Sequence, residues 1–233
     1  METDKTLLKE IKKGETGHGL LIEHDGFLSL DNTNNKVIKE GFDPENWHVP
    51  YPFIVSAVFQ KADTKNANGR IYPRAILERE IENYQTRIKE MRATGECDHP
   101  DTSTISIDRV AHNITELHWE GNTVVGKLQL LVSMGFIKYG IVSCLADTVA
   151  NILLNGVKLG VSSRAIGSVE QRNGILMVGD DLEILAWDVV SDPSTPNAWI
   201  SSSYDGLRPY IESKNTVGNT LNEKIDKIEK LLL

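Results

Sequence analysis

The sequence predicts an α+β fold that is mainly β, with a sheet or barrel of short strands flanked by helices. Short runs of β-branched and aromatic residues alternate with turn signals such as Asn-Gly, a pattern typical of strands and hairpins. Helical spacing of apolar residues occurs in only a few segments. A chain of 233 residues is long enough to bury a hydrophobic core of this kind.

The chain divides into three predicted parts. Residues 1–50 are a flexible or removable lead-in, because glycines and the polar run 31–35 interrupt its short apolar pieces. Residues 51–200 are the main folded domain. Residues 201–233 begin as a polar linker and end in an amphipathic helix, whose two heptads are too few for an independent coiled coil. We expect that helix to dock on its own domain or on another subunit, and we expect a homo-oligomer. Its apolar positions are Leu221, Ile225, Ile228 and Leu232.

The main domain begins with a strand and a helix. Phe53–Phe59 has the β-branched and aromatic composition of a buried strand, and the polar loop Asp63–Arg70 follows it. Pro73 starts a helix that closes near Gly95, because apolar residues then recur at spacings of four and three. The residues of this apolar stripe are Leu77, Ile81, Tyr84, Ile88 and Met91.

Shorter elements follow this helix. Val110–Trp119 and Asn122–Leu131 predict a hairpin around the turn Glu120-Gly121. Cys144–Leu154 predicts a second helix with a glycine cap at Asn155-Gly156. The remaining predicted strands are Leu159–Ser168, Ser168–Gln171, Ile175–Val178 and Leu182–Val190, of which the last is apolar enough to be a central strand.

Composition and charge exclude several classes of protein. The net charge of −8 argues against a nucleic-acid-binding surface. No apolar run approaches the roughly 20 residues that a membrane helix needs. The only cysteines are Cys97 and Cys144, too few for a disulfide framework, and the start Met1-Glu2-Thr3-Asp4 has no apolar signal region. We therefore expect a soluble protein of a reducing cytoplasm.

The strand Leu159–Ser168 carries the first candidate for chemistry. Period-two alternation places Ser162 and Arg164 on one face, and it places Ser163 on the face of Leu159 and Val161. A hydroxyl beside a fixed cation, with Gly160 leaving room for a ligand backbone, suits a nucleophile and an oxyanion donor. The ordinary alternative is a solvated strand end.

His99 is the candidate general base. It lies in the turn Gly95–Pro100, where Pro100 is expected to restrict the backbone of His99 to extended geometry. A rigid loop is a common place for a catalytic histidine, although a turn histidine without a catalytic role remains an alternative. The other histidines are interpreted as surface or satisfied side chains. They are His18, His24 and His48 in the lead-in, and His112 and His118 on one face of the hairpin.

Asp188 is the preferred third member of the site. A charge inside the apolar strand Leu182–Val190 is costly unless it is paired, and the expected partner is a histidine or an arginine. Asp192 is a competitor, but an Asp-Pro turn gives that aspartate a structural reason of its own.

The same turn contains residues that could form a metal site. Cys97, Asp98 and His99 could all ligate a metal, but no second Cys or His pair has suitable spacing. The sequence also lacks a phosphate-binding loop, a dinucleotide fingerprint and a nucleophile elbow. We therefore expect neither a metal nor a cofactor.

Four ordered segments resemble the prohead core protein proteases of large tailed phages such as the T-even phages. That family shares an assemblin-like fold with the herpesvirus maturation proteases, so the resemblance implies an assemblin-like β-barrel or sheet core. The matching segments span about Phe53 to Ile200, and their order and spacing make the joint match specific. The segments are Asn66–Pro73, Gly95–Pro100, Gly160–Ser168 and Asp188–Trp199.

The resemblance also implies roles for single residues. The family's base is the histidine of the His-Pro pair, and its nucleophile is the first serine of the Ser-Ser-Arg run, which correspond to His99 and Ser162. Arg164 resembles the arginine near the oxyanion site, where amides around Ser163 would also lie. Asp188 as the third member is less constrained, because related proteases differ at that position.

A capsid maturation enzyme is the function that the resemblance implies. The family acts inside the immature capsid, in the host cytoplasm, on scaffold or core proteins and the major capsid protein. It prefers a glutamate before the cut and an aliphatic residue two positions earlier. Ile38-Lys39-Glu40 before Gly41 and Leu221-Asn222-Glu223 before Lys224 fit that preference, so we expect self-cleavage at one or both sites.

Two alternatives stay open at the level of the sequence. The first is a capsid-assembly or scaffold protein that keeps the fold without catalysis. The second is a cysteine-based hydrolase that uses Cys97 or Cys144. Replacement of Ser162 separates them, because a cysteine hydrolase would survive it and a structural protein would have no cleavage to lose.

Overall fold

A computed structural model describes residues 8–22, 49, 51–155, 157–195, 198 and 200. Most of its ordered elements are strands, which confirms the predicted α+β, mainly β fold. The helices are α1 (Arg74–Lys89), α2 (Met134–Tyr139) and α3 (Leu145–Leu154), with a 3-10 turn at Ile107–Arg109. The strands are β1 (Gly17–Ile22), β2 (Phe53–Lys61), β3 (Arg70–Ile71), β4 (Thr94–Gly95), β5 (His112–Glu120), β6 (Thr123–Leu130), β7 (Gly160–Arg172), β8 (Ile175–Val178) and β9 (Glu183–Val190).

The described strands form two sheets. One has four strands in the order β2-β6-β5-β4, and the other has the order β1-β7-β8-β3, with β9 also paired to β7. The pairs are antiparallel except for β3 with β8. The 13-residue strand β7 is therefore the centre of its sheet, and the predicted central strand Leu182–Val190 lies beside it as β9.

Short backbone bridges join the two sheets at two places. Cys97, just after β4, pairs in parallel with Val189 of β9. Ile200 pairs with Ala57 of β2, and its N–H donates to the Leu159 carbonyl at 2.8 Å. The hydrophobic core lies within this frame and draws on both sheets and α1. No helix in the described part of the chain is long and apolar enough to cross a membrane.

Most predicted elements of the main domain are confirmed, with small shifts at their ends. The first helix is shorter than predicted, because α1 ends at Lys89 and Met91 adopts a φ of +56° with 68% of its surface exposed. Met91 is therefore not part of the buried stripe. The helix α2 was not predicted, since its six residues are too few to establish a helical period.

The prediction of a weakly structured lead-in is wrong for Gly17–Ile22. These residues form β1, which pairs with β7 and buries Leu20, Leu21 and Ile22. The apolar run was too short to stand out among its glycines. The rest of the lead-in from residue 23 to 48 and the predicted C-terminal helix lie outside the described residues.

The prediction that His112 and His118 share a face is also wrong. A β-bulge between Ile114 and Glu116 adds one residue to β5, which reverses the alternation beyond it. His112 is fully buried, whereas His118 lies on the outer face between Glu116 and Glu120.

Candidate active site

The ladder between β7 and β9 sets the geometry of the candidate site. Ser162 is the pairing partner of Asp188, and Ser163 is the partner of Trp187. Residues directly opposite in an antiparallel ladder point to the same face, with Cβ atoms about 5 Å apart. Ser162 and Asp188 thus share one face, and Arg164, two residues along, reaches Asp188 on that face. Ser163 lies on the opposite face and is 2% exposed.

His99 meets Asp188 on the shared face. Its Nδ1 lies 2.8 Å from Asp188 Oδ2, and both side chains are almost completely buried. An ionised carboxylate only accepts hydrogen bonds, so Nδ1 is the protonated ring nitrogen of neutral His99. The lone pair of the imidazole is then on Nε2, which is the arrangement that a general base requires.

The backbone of His99 differs from the extended geometry that Pro100 was expected to impose. The φ angle of His99 is +30°, and that of Asp98 is +54°. Two consecutive non-glycine residues with positive φ are unusual and store strain. The strain is held by pairing with β9, because the Asp98 N–H donates to the Val189 carbonyl at 3.0 Å and the Val189 N–H donates to the Glu96 carbonyl at 2.9 Å.

Gly95 allows this loop to lie against β9. A Cβ at Gly95 would be 2.2 Å from the Trp187 carbonyl oxygen and 2.4 Å from His112 Nε2. His112 itself is held by the same carbonyl, which lies 3.0 Å from its Nε2, and burial lowers the pKa of His112. The turn that contains His99 therefore begins with a glycine, because a larger residue would clash with β9 and His112.

The environment of Asp188 keeps it ionised. Burial alone would raise the pKa of Asp188. The hydrogen bond from His99, the charge of Arg164 and a hydrogen bond from the Glu96 N–H at 2.9 Å oppose that effect, and the pKa of Asp188 is lowered. Asp188 is thus a buried carboxylate with its partners in place, as the sequence predicted.

Arg164 directs its donors at carboxylates and at one carbonyl. Its Nη2 lies 3.2 Å from Asp188 Oδ1 and 2.5 Å from Glu96 Oε2, and its Nη1 donates to the Thr102 carbonyl at 2.8 Å. Its Nε lies 3.0 Å from Asp188 Oδ2, an ion-pair contact without hydrogen-bond geometry. The predicted oxyanion or substrate-binding role of Arg164 and Ser163 stays a prediction.

Glu96 is the member of this cluster that the sequence reasoning missed. Its side chain is fully buried, and its Oε1 accepts from the Ser106 N–H at 2.9 Å. In the sequence it is one acidic residue in a polar turn next to Cys97, which resembles an ordinary surface position. Its position directly before the candidate metal-binding triplet Cys97-Asp98-His99 is the only signal that the sequence offers.

The prediction that Gly160 leaves room for a ligand backbone is wrong. A Cβ there would be 2.4 Å from a ring carbon of Pro193, so the space is filled by the chain itself. Ser162, Arg164 and Asp188 have no exposed surface, and the cluster is closed to solvent in this conformation. A surface cavity of about 500 Å³ lies at the far end of β7, around His18 and Ser168–Gln171, and does not include the cluster.

The competing residues lie elsewhere or are chemically unsuited. Burial is the main cause that raises the pKa of the Cys97 thiol to about 12, which disfavours the thiolate that a cysteine nucleophile needs. Cys144 is exposed and caps the start of α3. Asp192 follows the end of β9, whereas the carboxylate that accepts the hydrogen bond from His99 belongs to Asp188 within that strand.

The four motif segments meet in space. The segment Asn66–Pro73 contacts the last segment where the Ala67 N–H donates to the Ser194 carbonyl at 3.0 Å. The segment Gly95–Pro100 lies along β9, and the segment Gly160–Ser168 is the paired part of β7. Residues that are distant in sequence thus build one cluster.

Comparisons with known proteins identify the family of this chain. A family model described as the prohead core protein serine protease matches residues 34–204. The prohead core protein protease of Enterobacteria phage T4 is 31% identical over 165 residues, which are 70% of this chain and 74% of that protein. The structure of the bacteriophage T4 capsid assembly protease, gp21, matches with a TM-score of 0.54 and 25% identity, over 60% of this chain and 82% of that chain. The chain therefore belongs to the prohead core protein serine protease family and is a prohead protease of the T4 type.

Proposed function

We propose that this protease is a serine endopeptidase in which Ser162 is the nucleophile, His99 the general base and Asp188 the group that orients the imidazole. The observation that carries the proposal is the contact between His99 Nδ1 and Asp188 Oδ2 at 2.8 Å. Asp188 is also the residue of β9 that pairs with Ser162. A serine becomes a nucleophile only beside a base that takes its proton, and that base needs a fixed tautomer.

Each step uses an atom of this cluster. Ser162 Oγ attacks the scissile carbonyl carbon while His99 Nε2 takes the hydroxyl proton. Backbone N–H groups near Ser163 and Arg164 donate to the oxyanion of the tetrahedral intermediate. The intermediate collapses to an acyl-serine, and the leaving amine takes the proton back from His99. Water, activated by the same imidazole, then releases the acid and restores Ser162.

We further propose that the substrates are the scaffold or core proteins and the major capsid protein of a phage prohead. The names of the T4 relatives, a prohead core protein protease and a capsid assembly protease, support this assignment. The enzyme would then act inside the prohead in the host cytoplasm, as a homo-oligomer.

Self-processing is part of the proposal. The two glutamates followed by predicted cut sites are Glu40 and Glu223, and both lie outside the described residues. Cleavage there would break the peptide bonds that join residues 1–40 and 224–233 to the rest of the chain. Mass spectrometry of the incubated protein tests this, and intact termini under conditions that cleave a scaffold substrate would overturn it.

Substitutions of single residues test which side chain is the nucleophile. Ser162→Ala should abolish cleavage of a purified scaffold protein while the far-ultraviolet circular dichroism stays unchanged. Ser168→Ala is the matched control, because Ser168 lies in the same strand and its hydroxyl contacts Asp181 instead. Retained cleavage in Ser162→Ala, with loss in Cys97→Ser or Cys144→Ser, would replace the proposal with a cysteine mechanism.

A further inference from the structure

The candidate site contains more buried charge than a serine mechanism uses. Asp188, Arg164 and Glu96 are all fully buried, and His99 is 5% exposed. Burying an ion costs several kcal/mol unless partners compensate it. With Asp188 and Glu96 as carboxylates and His99 neutral, the cluster carries one net negative charge. It becomes neutral when His99 takes up a proton.

We propose that Glu96 and Arg164 are positioning residues for the reaction of Ser162, and that the carboxylate of Glu96 balances Arg164 so that the buried cluster is neutral when His99 is protonated. The inference rests on the proposed function. It adds to that function a residue that does not touch the reacting atoms and acts through Arg164 and Asp188.

The positioning part follows from the contacts of Arg164. Its guanidinium reaches both carboxylate oxygens of Asp188, at 3.2 Å from Oδ1 and 3.0 Å from Oδ2. One hydrogen bond and one ion-pair contact from the same rigid planar group oppose rotation of the carboxylate. Oδ2 is thereby held at the position from which it contacts His99 Nδ1.

Glu96 fixes the other side of the same guanidinium. Its Oε2 lies 2.5 Å from Arg164 Nη2, while its own N–H donates to Asp188 Oδ1 at 2.9 Å. Residue 96 thus contacts Asp188 directly through its backbone and indirectly through its side chain. Only the side-chain contribution depends on the residue type, so it can be removed without loss of the backbone hydrogen bond.

The charge part follows from the absence of another close counter-charge for Arg164 among the described residues. Without Glu96, Arg164 would neutralise Asp188, and protonation of His99 would leave an unbalanced positive charge in a buried site. Arg109 is the nearest further cation, with its Nε 4.0 Å from Glu96 Oε1, but its side chain is 46% exposed. The remaining titratable groups near the cluster are Tyr84, Cys97, Asp98 and His112.

These groups do not replace Glu96. Burial raises the pKa of Tyr84 and of Cys97 and lowers the pKa of His112, so all three are neutral near pH 7. Asp98 precedes His99, and no described hydrogen bond joins its carboxylate to Arg164. The balance of charge around His99 therefore depends on Asp188, Arg164 and Glu96.

Two readouts on the full chain test the inference. The first is the pH at which the His99 ring takes up a proton, followed by NMR in a Ser162→Ala background, which requires no turnover. The second is the acid limb of kcat/KM with a synthetic peptide of residues 35–46, which contains the predicted Glu40 cut site. Glu96→Gln should move both to lower pH by about one unit, since one nearby charge is lost at an effective dielectric near 20.

A second variant, in which the midpoints should shift in the opposite direction, makes the test specific. Arg164→Gln should move both midpoints to higher pH, and the double variant should return to near the wild-type values, because the net charge of the cluster is restored. Glu80→Gln is the matched control, since Glu80 is also buried and accepts from the Ile184 N–H of β9. It should leave both midpoints unchanged.

The outcomes separate this inference from the proposed function. Unchanged midpoints in Glu96→Gln, in an enzyme that cleaves the peptide, would overturn the inference and leave the serine mechanism intact. An NMR midpoint of His99 that shifts as expected, in a protein whose Ser162-containing form cleaves neither the peptide nor a scaffold protein, would support the charge balance of the cluster and overturn the proposed function. If Arg164→Gln fails to fold, the direction of the Glu96→Gln shift decides alone.

Discussion

Ser162 and Asp188 are paired residues of one antiparallel ladder. The proposed nucleophile and the proposed orienting acid are thus fixed by backbone hydrogen bonds, and only His99 comes from a loop. That loop is itself tied to β9 through Cys97 and Val189. A site built on paired strands holds its geometry better than one assembled from free loops.

Asp188→Asn should reduce kcat/KM by about 10³- to 10⁴-fold while the protein stays folded. An amide can donate its N–H to Nδ1, which favours the tautomer of His99 with the proton on Nε2. Asp192→Asn should retain activity, because Asp188 accepts the hydrogen bond from His99 Nδ1. Steady-state kinetics of both variants decides between the two aspartates, and the reverse pattern would assign the role to Asp192.

Gly95→Ala should destabilise the fold by about 2–4 kcal/mol, because a methyl group cannot fit 2.2 Å from a backbone oxygen of β9. Gly135→Ala is the control. A Cβ there meets only ordinary contacts at 3.7 Å and beyond, and alanine is favoured over glycine in the helix α2. Urea unfolding of the two variants measures the difference, and similar stabilities would contradict the close approach of Gly95 to Trp187.

His112 should make stability fall as the pH drops below about 6.5. Burial lowers the pKa of His112 in the folded state, so the unfolded chain binds a proton that the folded chain does not. The free energy of unfolding then decreases with falling pH by up to about 1.4 kcal/mol per pH unit. Urea unfolding at pH 5, 6 and 7 should give a shallower pH dependence for His112→Gln than for the wild type.

The control for this experiment is His118→Gln, because His118 is exposed on the outer face. Asp188 acts in a separate range. Its pKa is lowered in the folded state, so its stabilisation is present above the ordinary value of 3.8 and is lost as the pH falls further. An unchanged slope between pH 7 and 5 in His112→Gln would contradict the account of His112.

Cleavage after Glu40 should leave the N-terminal fragment attached to the protein. Residues 17–22 of that fragment are β1, which pairs with Arg164–Val169 of β7 and buries three apolar side chains. Native mass spectrometry should record both fragments together, and denaturing mass spectrometry should record them apart. Immediate loss of the fragment under native conditions would contradict the role of β1 in the sheet.

Several features of the site could be predicted from the sequence because they depend on strand periodicity. The alternation of side chains along β7 is enough to place Ser162 and Arg164 on one face and Ser163 on the other, as the ladder with β9 confirms. A charged residue inside an apolar strand likewise identified Asp188 as a paired group.

Other features depend on long-range contacts that no local pattern encodes. The burial of Glu96 results from its pairing with Arg164, 68 residues away. The positive φ of His99 overrides the preference of a residue before proline, because the hydrogen bonds to β9 determine the path of the turn. One extra residue in β5 separates His112 from His118, and a bulge leaves no clear mark on composition.

The most direct test of the account is the site at which a serine-directed fluorophosphonate probe attaches to the full chain. Peptide mapping after labelling at neutral pH should find the adduct on Ser162, and His99→Ala should abolish labelling because the hydroxyl would lose its base. An adduct on another residue, or labelling of Ser162 that persists in His99→Ala, would contradict the proposed mechanism.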